Sequence, residues 1–362
     1  MKKKLIIFIP SVEGGGVEKN FFIISNYLAT KLDKVILITA ENNLSKKIKN
    51  IEIVYPRSNF WRKNARFRKY IICVFLLIKI LLKNRNILVL TFQANLYAIL
   101  VCKLFGINII SRSNSSPSGW SKNFIKNYIY RIGLNLADMI IVNSIEFKNE
   151  MKKKFSVNSI HIYNPLDKDK ILKLSKKKVK NLYPNKVLRI ISVGRLVDQK
   201  DQITILKGIN KIKNLLKFKL ILIGRGRDKN KLDNYIKKNS LSKLVKIFYT
   251  SNPYSYIKQA DIFILSSKYE GLPNVLLESA ALKKFIISTK CPTGPKEILL
   301  NGKGGLLFKI ENYKELSKQI LFYEKNKTIC KNMAQISFNN LGRFDYNKNL
   351  LKYYSVIQKF IN

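Results

Sequence analysis

Two carboxylates with seven residues between them, Glu270 and Glu278, bracket the segment Glu270-Gly271-Leu272-Pro273-Asn274-Val275-Leu276-Leu277-Glu278, which follows an apolar run and opens a helical pattern. Gly271 and Pro273 set a tight turn. The first amides of the helix, those of Asn274, Val275 and Leu276, have no carbonyl one turn back to bind, so they form a cradle for a diphosphate. Glu278, one to two turns in, is placed to accept hydrogen bonds from ribose hydroxyls, and Glu270, in the loop ahead, to reach a sugar hydroxyl on the same ligand. The plainer reading is that both acids compensate the helix dipole. A second junction of this kind is Glu13-Gly14-Gly15-Gly16-Val17-Glu18-Lys19. Its three glycines let a backbone approach a ligand closely, or serve as an ordinary flexible turn.

Both junctions require a strand before them and a helix after them. Short apolar, β-branched runs supply the strands: Leu5 to Ile9, Val35 to Thr39, Ile87 to Leu90, Ile107 to Ser111 and Met139 to Val142 in the first half of the chain. Strands buried on both faces of a parallel sheet have this composition. Val17 to Leu32 and Ala65 to Leu82 carry helical spacing between them, so an α/β doubly wound domain is expected. From Asn164 to Lys186 the pattern degrades into polar and lysine-rich sequence, read as a linker. A second series then begins with Arg189 to Val193, Lys219 to Ile223, Val245 to Phe248, Ile262 to Leu265 and Phe285 to Ser288. A last helix, Asn347 to Ile361, has Leu350, Leu351, Tyr354 and Ile357 at three-and-four spacing and is expected to pack across both domains.

The 362-residue chain carries 68 Lys plus Arg against 22 Asp plus Glu, a net charge of +46 that points to a large anionic partner. Between Ile53 and Ala137 there are fourteen basic residues and no acidic one. Such a stretch suits anionic lipid or a phosphorylated acceptor, and otherwise is a solvated face. The four cysteines, Cys73, Cys102, Cys291 and Cys330, lack metal or redox spacing and read as reduced cytosolic thiols. The run Leu5 to Ile9 is too short for a secretory signal. Ile71 to Leu82 falls short of the ~20 residues of a membrane span, so its helix either lies in a membrane interface, with Trp61, Arg62, Lys63, Arg66, Arg68 and Lys69 ahead of it, or is buried.

The Glu270 to Glu278 stretch resembles the signature of the family four glycosyltransferases: Glu, seven residues, Glu. Gly194-Arg195-Leu196-Val197-Asp198-Gln199-Lys200-Asp201 is similar to the family's strand-to-helix loop, in which the Arg and Lys contact the donor diphosphate. Two cations there would neutralise a leaving nucleoside diphosphate without a metal. Ile223-Gly224-Arg225-Gly226 resembles the next nucleotide-side loop, with Arg225 where an acid is often found. Asn252-Pro253-Tyr254, Ala260-Asp261, Ser266-Ser267 and Cys291 to Ile298, followed by Gly302, Gly304 and Gly305, continue the likeness. The wording Gly-Gly-Val-Glu-Lys is typical of bacterial surface-polysaccharide and lipopolysaccharide members.

The resemblance implies the GT-B fold, two Rossmann-like domains facing a cleft, with residues 1–165 on the acceptor side, 166–187 as linker, 188–342 binding the nucleotide sugar, and 343–362 crossing back to the first domain. It also implies retaining transfer of a hexose or N-acetylhexosamine from a nucleotide sugar, UDP-linked, to a lipid-linked glycan, with neither cofactor nor metal. Arg195 and Lys200 would stabilise the departing diphosphate and Glu270 hold the sugar. Gly15, Gly16, Gly194, Gly224, Gly271, Leu272, Pro273, Asn274, Val275, Leu276 and Glu278 would bind the rest of the donor. With no carboxylate pair placed for double displacement, front-face attack is favoured. An anionic membrane surface on the cytoplasmic side is the expected location.

One departure stands out: where many members carry a histidine, this chain reads Ser111-Arg112-Ser113-Asn114, so Arg112 and Asn114 are the candidate substitutes on the acceptor side. The single histidine, His161, lies in an alternating strand entering the linker. Asp167-Lys168-Asp169 superficially resembles a metal-binding Asp-x-Asp of the other major glycosyltransferase fold. The rivals are a basic nucleic-acid-binding or membrane-binding protein, disfavoured for nucleic acid by the lack of a recognised motif or stacking ladder, and a sugar-nucleotide epimerase or phosphorylase of the same fold.

Overall fold

A computed structural model describes residues 3–12, 15–44, 47–58, 60–61, 66–120 and 123–361. The chain divides into two compact units, Met1–Pro165 with Tyr346–Asn362, and Leu166–Asp345.

The first unit holds a parallel sheet of β1 (Lys4–Phe8), β2 (Lys34–Ile38), β3 (Glu52–Val54), β4 (Leu88–Thr91), β5 (Ile109–Arg112), β6 (Met139–Val142) and β7 (Ile160–His161). Their order among the described residues is β3-β2-β1-β4-β5-β6-β7. Between them run α1 (Gly16–Ala29), α2 (Arg66–Leu81), α3 (Asn95–Leu104), α4 (Phe124–Asn135) and α5 (Ile145–Phe155). Because strand side chains alternate, β1 feeds two cores. Ile6 and Phe8 pack with Cys73, Leu77 and Cys102 on one side, and Leu5 and Ile7 pack with Phe21, Ile24 and Leu28 on the other.

The second unit opens with α6 (Lys168–Ser175) and then builds β8 (Leu188–Val193), α7 (Gln202–Ile212), β9 (Phe218–Ile223), α8 (Lys229–Lys238), β10 (Val245–Phe248), α9 (Tyr254–Gln259), β11 (Ile262–Leu265), α10 (Asn274–Ala281), β12 (Phe285–Thr289), α11 (Pro295–Ile298), β13 (Leu306–Phe308), α12 (Tyr313–Lys325) and α13 (Lys327–Asn339). Its parallel strands run β10-β9-β8-β11-β12-β13. In each sheet the first strand sits where the winding reverses, β1 between β2 and β4 and β8 between β9 and β11. The crevice beyond the carboxyl ends at such a point is where doubly wound sheets hold ligands.

Residues 166–187, expected as a linker, instead contribute α6 to the second unit. Asp167 caps that helix, its Oδ1 accepting from the Lys170 amide at 2.9 Å, so Asp167-Lys168-Asp169 is a helix start. Ile171 and Ser175 are buried, and the Leu174 carbonyl accepts from Asn252 Nδ2 at 3.0 Å and Ser255 Oγ at 3.1 Å. The chain leaves this unit beside its entry: Leu166 and Asp345 form a parallel bridge, with the Leu166 amide donating to Phe344 O at 2.9 Å. The final helix, α14 (Tyr346–Gln358), then buries Leu350, Tyr353 and Ile357 in the core of the first unit, so it starts three residues later than 343 and packs within that unit.

Among the described residues no helix is long and apolar enough to cross a membrane. α2 is two-faced, with Cys73, Leu77 and Leu81 buried while Phe67, Ile71 and Phe75 are exposed. Arg62, Lys63 and Ala65 lie outside the described residues.

Candidate active site

The loops after β8, β9, β11 and β12 meet at the switch point of the second sheet. The β8 and β9 loops are in backbone contact: the Gly194 amide donates to Ile223 O at 3.0 Å, and that of Leu196 to Arg225 O at 2.9 Å. A Cβ on Gly224 would stand 1.9 Å from the Gly194 carbonyl oxygen, so only glycine allows this approach.

After Gly194 the chain makes a 3-10 turn, Asp198–Lys200, that is latched to the β11 loop. The Lys268 amide donates to Gln199 O at 2.9 Å, Gln199 Nε2 donates to Tyr269 O at 2.9 Å, and Ser266 Oγ donates to Lys200 O at 2.8 Å. The Lys268 ammonium bridges Asp198 at 2.9 Å and Glu311 at 3.0 Å. Its bond to Asp198 raises the lysine pKa and lowers that of the carboxyl. These latches aim Lys200 at Glu270, with Nζ 2.5 Å from Oε1, and both side chains are largely buried. Ser267 Oγ donates to the same carboxylate oxygen at 2.5 Å. Arg195 lies farther out, its guanidinium 3.5 Å from Gln199 Oε1. A buried ammonium whose carboxylate partner is also bound by a neutral hydroxyl can be drawn off by an anionic ligand, leaving the carboxylate free to accept from hydroxyls.

The loop carrying Glu270 is pinned from behind. Thr293 Oγ1 donates to Glu270 O at 2.6 Å, and Gly294, at φ +90, passes so close to Gly271 that a Cβ would lie 2.1 Å from its carbonyl oxygen. Cys291 lies alongside, and burial pushes its thiol pKa well up, the Glu270 charge adding to the effect, which keeps it protonated and no nucleophile. Gly271, Leu272 and Pro273 follow as a buried turn. Pro273 is the N-cap of α10 and its own side chain makes no capping bond. Its carbonyl accepts from the Leu276 amide at 3.0 Å. The Leu276 amide, one of the diphosphate donors expected from the sequence, is thus engaged within the first turn. Glu278, in the second turn, is buried.

In the first unit, Gly15 is the N-cap of α1 at the β1 switch point, with no side-chain cap and an extended φ of -166, a conformation any residue adopts. Gly16 begins the helix, and Glu13 and Gly14 lie outside the described residues. Arg112 departs from the expectation that it faces an acceptor. It is fully buried, its Nε donating to Tyr353 Oη and its Nη2 to Asn164 Oδ1, both at 2.8 Å. Its side chain leaves β5 on the face covered by α14, because the strand alternation turns it inward. Asn114 is half-buried and donates to Phe92 O at 2.8 Å, bracing the β4 and β5 ends. His161 packs edge-on against Tyr163 with ring centroids 5.3 Å apart. Sequence reasoning assigned no role to Gln199, Ser267, Lys268 or Thr293. The signal was position alone, since each sits within a few residues of a strand's carboxyl end at the switch point.

Residues 14–170 match the family model described as Glycosyltransferase Family 4, and residues 174–340 the model described as Glycosyl transferases group 1. A Campylobacter jejuni protein named N-acetylgalactosamine-N,N'-diacetylbacillosaminyl-diphospho-undecaprenol 4-alpha-N-acetylgalactosaminyltransferase is 26% identical, the match covering 97% of this chain and 99% of that one. An uncharacterized glycosyltransferase of Methanocaldococcus jannaschii is 34% identical, but over only 47% of this chain and 44% of its own length. Among solved structures, a Rickettsia africae glycosyltransferase superposes with TM-score 0.80 at 18% identity, covering 100% of this chain and 99% of that one. Anabaena HepE in complex with UDP does so with TM-score 0.77 at 15% identity, covering 99% and 100%. These two likenesses are of fold.

Proposed function

We propose that this chain, which belongs to the family four glycosyltransferases of the GT-B fold, transfers a hexose or N-acetylhexosamine from UDP to a lipid-linked glycan with retention of anomeric configuration. The observation that carries the reading is the Lys200 and Glu270 pair, 2.5 Å apart, just ahead of the N-terminus of α10 at the switch point of the second sheet. A diphosphate on the Asn274 and Val275 amides meets helix dipole and ammonium together. Arg195 at the rim and Lys200 inside take the charge that develops on the leaving oxygen, Glu270 holds the sugar, and Glu278 takes the ribose. The acceptor hydroxyl attacks C1 from the face the diphosphate leaves. The C1 to phosphate-oxygen bond breaks, the new glycosidic bond forms, and the acceptor proton passes to the departing diphosphate, so neither a metal nor a covalent intermediate is needed. The lipid-linked acceptor is supported by the name of the Campylobacter relative, UDP by the ligand of HepE, and work at the cytoplasmic face of a membrane by the basic first unit.

UDP is expected to raise the melting temperature of the second unit by about 5 °C at a hundredfold excess over its Kd, with GDP, ADP and CMP giving less. Glu278→Ala should abolish that shift. NMR of the first-formed product should show the anomeric configuration of the donor. Absence of stabilisation by all four nucleotides, or an inverted product, would sink the reading.

A further inference from the structure

The first unit presents an outer surface of the wrong polarity for water. α2, α3 and α4 lie side by side in one layer, α2 packing on α3 and α3 on α4. A Cβ on Gly133 of α4 would come within 2.7 Å of Leu96 of α3. Their inner residues, among them Leu77, Ala98 and Leu134, enter one core. Yet the outward faces are apolar as well. On α4, Phe124, Tyr128, Ile129 and Ile132 recur at three-and-four spacing and all are exposed, Phe124 by 83%. Lys126 and Arg131 flank that stripe at either edge on the helical wheel. On α3, Tyr97, Leu100 and Leu104 repeat the pattern, with Leu104 85% exposed. On α2 it is Phe67, Ile71 and Phe75.

We propose that this face docks on an anionic phospholipid bilayer, with α4 lying in the interface, its Phe124 to Ile132 stripe among the acyl chains, and α2 and α3 beside it. The occupant is argued from charge. Beyond Lys126 and Arg131, the segment that forms the face runs inside the stretch from Ile53 to Ala137, which has fourteen basic residues and no acidic one, of which Arg112 is buried and Lys69 and Lys103 pair with Glu41 and Asp138. A second copy of the chain would set cations against cations, whereas anionic headgroups meet them while the apolar stripes leave water. The tyrosines within the stripes, Tyr97 and Tyr128, suit the headgroup boundary. This names the membrane partner of the transferase reading and rests on that reading only for the acceptor being lipid-linked.

The test is co-sedimentation of the full chain with phosphatidylcholine vesicles, with and without phosphatidylglycerol, at low salt and at about 0.5 M salt, where charge is screened within a few ångströms. Binding should require phosphatidylglycerol and should persist in part at high salt. Phe124→Ser with Ile129→Ser, both exposed, should lower partitioning about tenfold at both salts, and Leu104→Ser on α3 should act in the same direction. Thermal stabilisation by UDP, read in parallel, should be unchanged. Equal partitioning of variant and parent would overturn the proposal, as would a dimer broken by the same substitutions with no vesicle binding. If UDP stabilises neither protein while vesicle binding behaves as expected, the transferase reading fails and the docking surface stands.

Discussion

Replacing Lys200 with Met should lower kcat about 10²- to 10³-fold, the usual cost of removing one preorganised charge from a developing anion, and should also destabilise the second unit. The second effect follows because Glu270, 6% exposed, loses the ammonium that lies 2.5 Å away. A buried carboxylate stripped of its partner costs about 3 kcal/mol. Combining Lys200→Met with Glu270→Gln separates the two. The amide still accepts from Ser267 and carries no charge, so urea unfolding should recover most of the lost stability, while transfer should stay at the lowered rate or below it because no ammonium meets the phosphates. Transfer restored in the double variant would mean that Lys200 serves only to neutralise Glu270.

The second large effect concerns backbone. Gly294→Ala should destabilise the second unit by about 3 kcal/mol, since a side chain there must adopt φ +90 and also enter the space of the Gly271 carbonyl oxygen 2.1 Å away. The displaced carbonyls are those that Thr293 Oγ1 holds, so UDP affinity should fall with stability. Gly302→Ala is the control. It has φ +100 but nothing within 4 Å of the new Cβ, and should cost about 1 kcal/mol. Equal urea midpoints for the two variants would remove the steric part of the argument.

The strands were legible where burial on both faces makes them continuous apolar runs, as in Ile262–Leu265, buried throughout. β3, Glu52–Val54, escaped because an edge strand with its first residue exposed has no such run. β13 is only three residues long after two glycines. α6 was hidden by the lysines that follow it, although its Asp167 cap and buried Ile171 are ordinary helix signals. Periodicity also assumes that the apolar face of a helix points inward. In α4 the inward positions are Gly133 and Leu134 and the isoleucines point out, which no pattern of residue types discloses. At the site, the Glu270 to Glu278 spacing identified the loop, but the closure of Lys200 on Glu270 depends on latches 66 to 70 residues apart in sequence. Arg112 lies in the core because strand alternation, one register position, decides whether a side chain at a sheet end points outward or inward.

The bridge between Leu166 and Asp345 makes the second unit an insert with its two ends held together. A gene exchange with crossovers at those two points would carry the entire second unit into or out of the host chain, and would leave the first unit's core, α14 included, with every residue it had. On the proposed reading, donor preference should move as a cassette between relatives, whereas acceptor preference, built into a host whose core draws on segments before and after the insert, has to change by substitution in place.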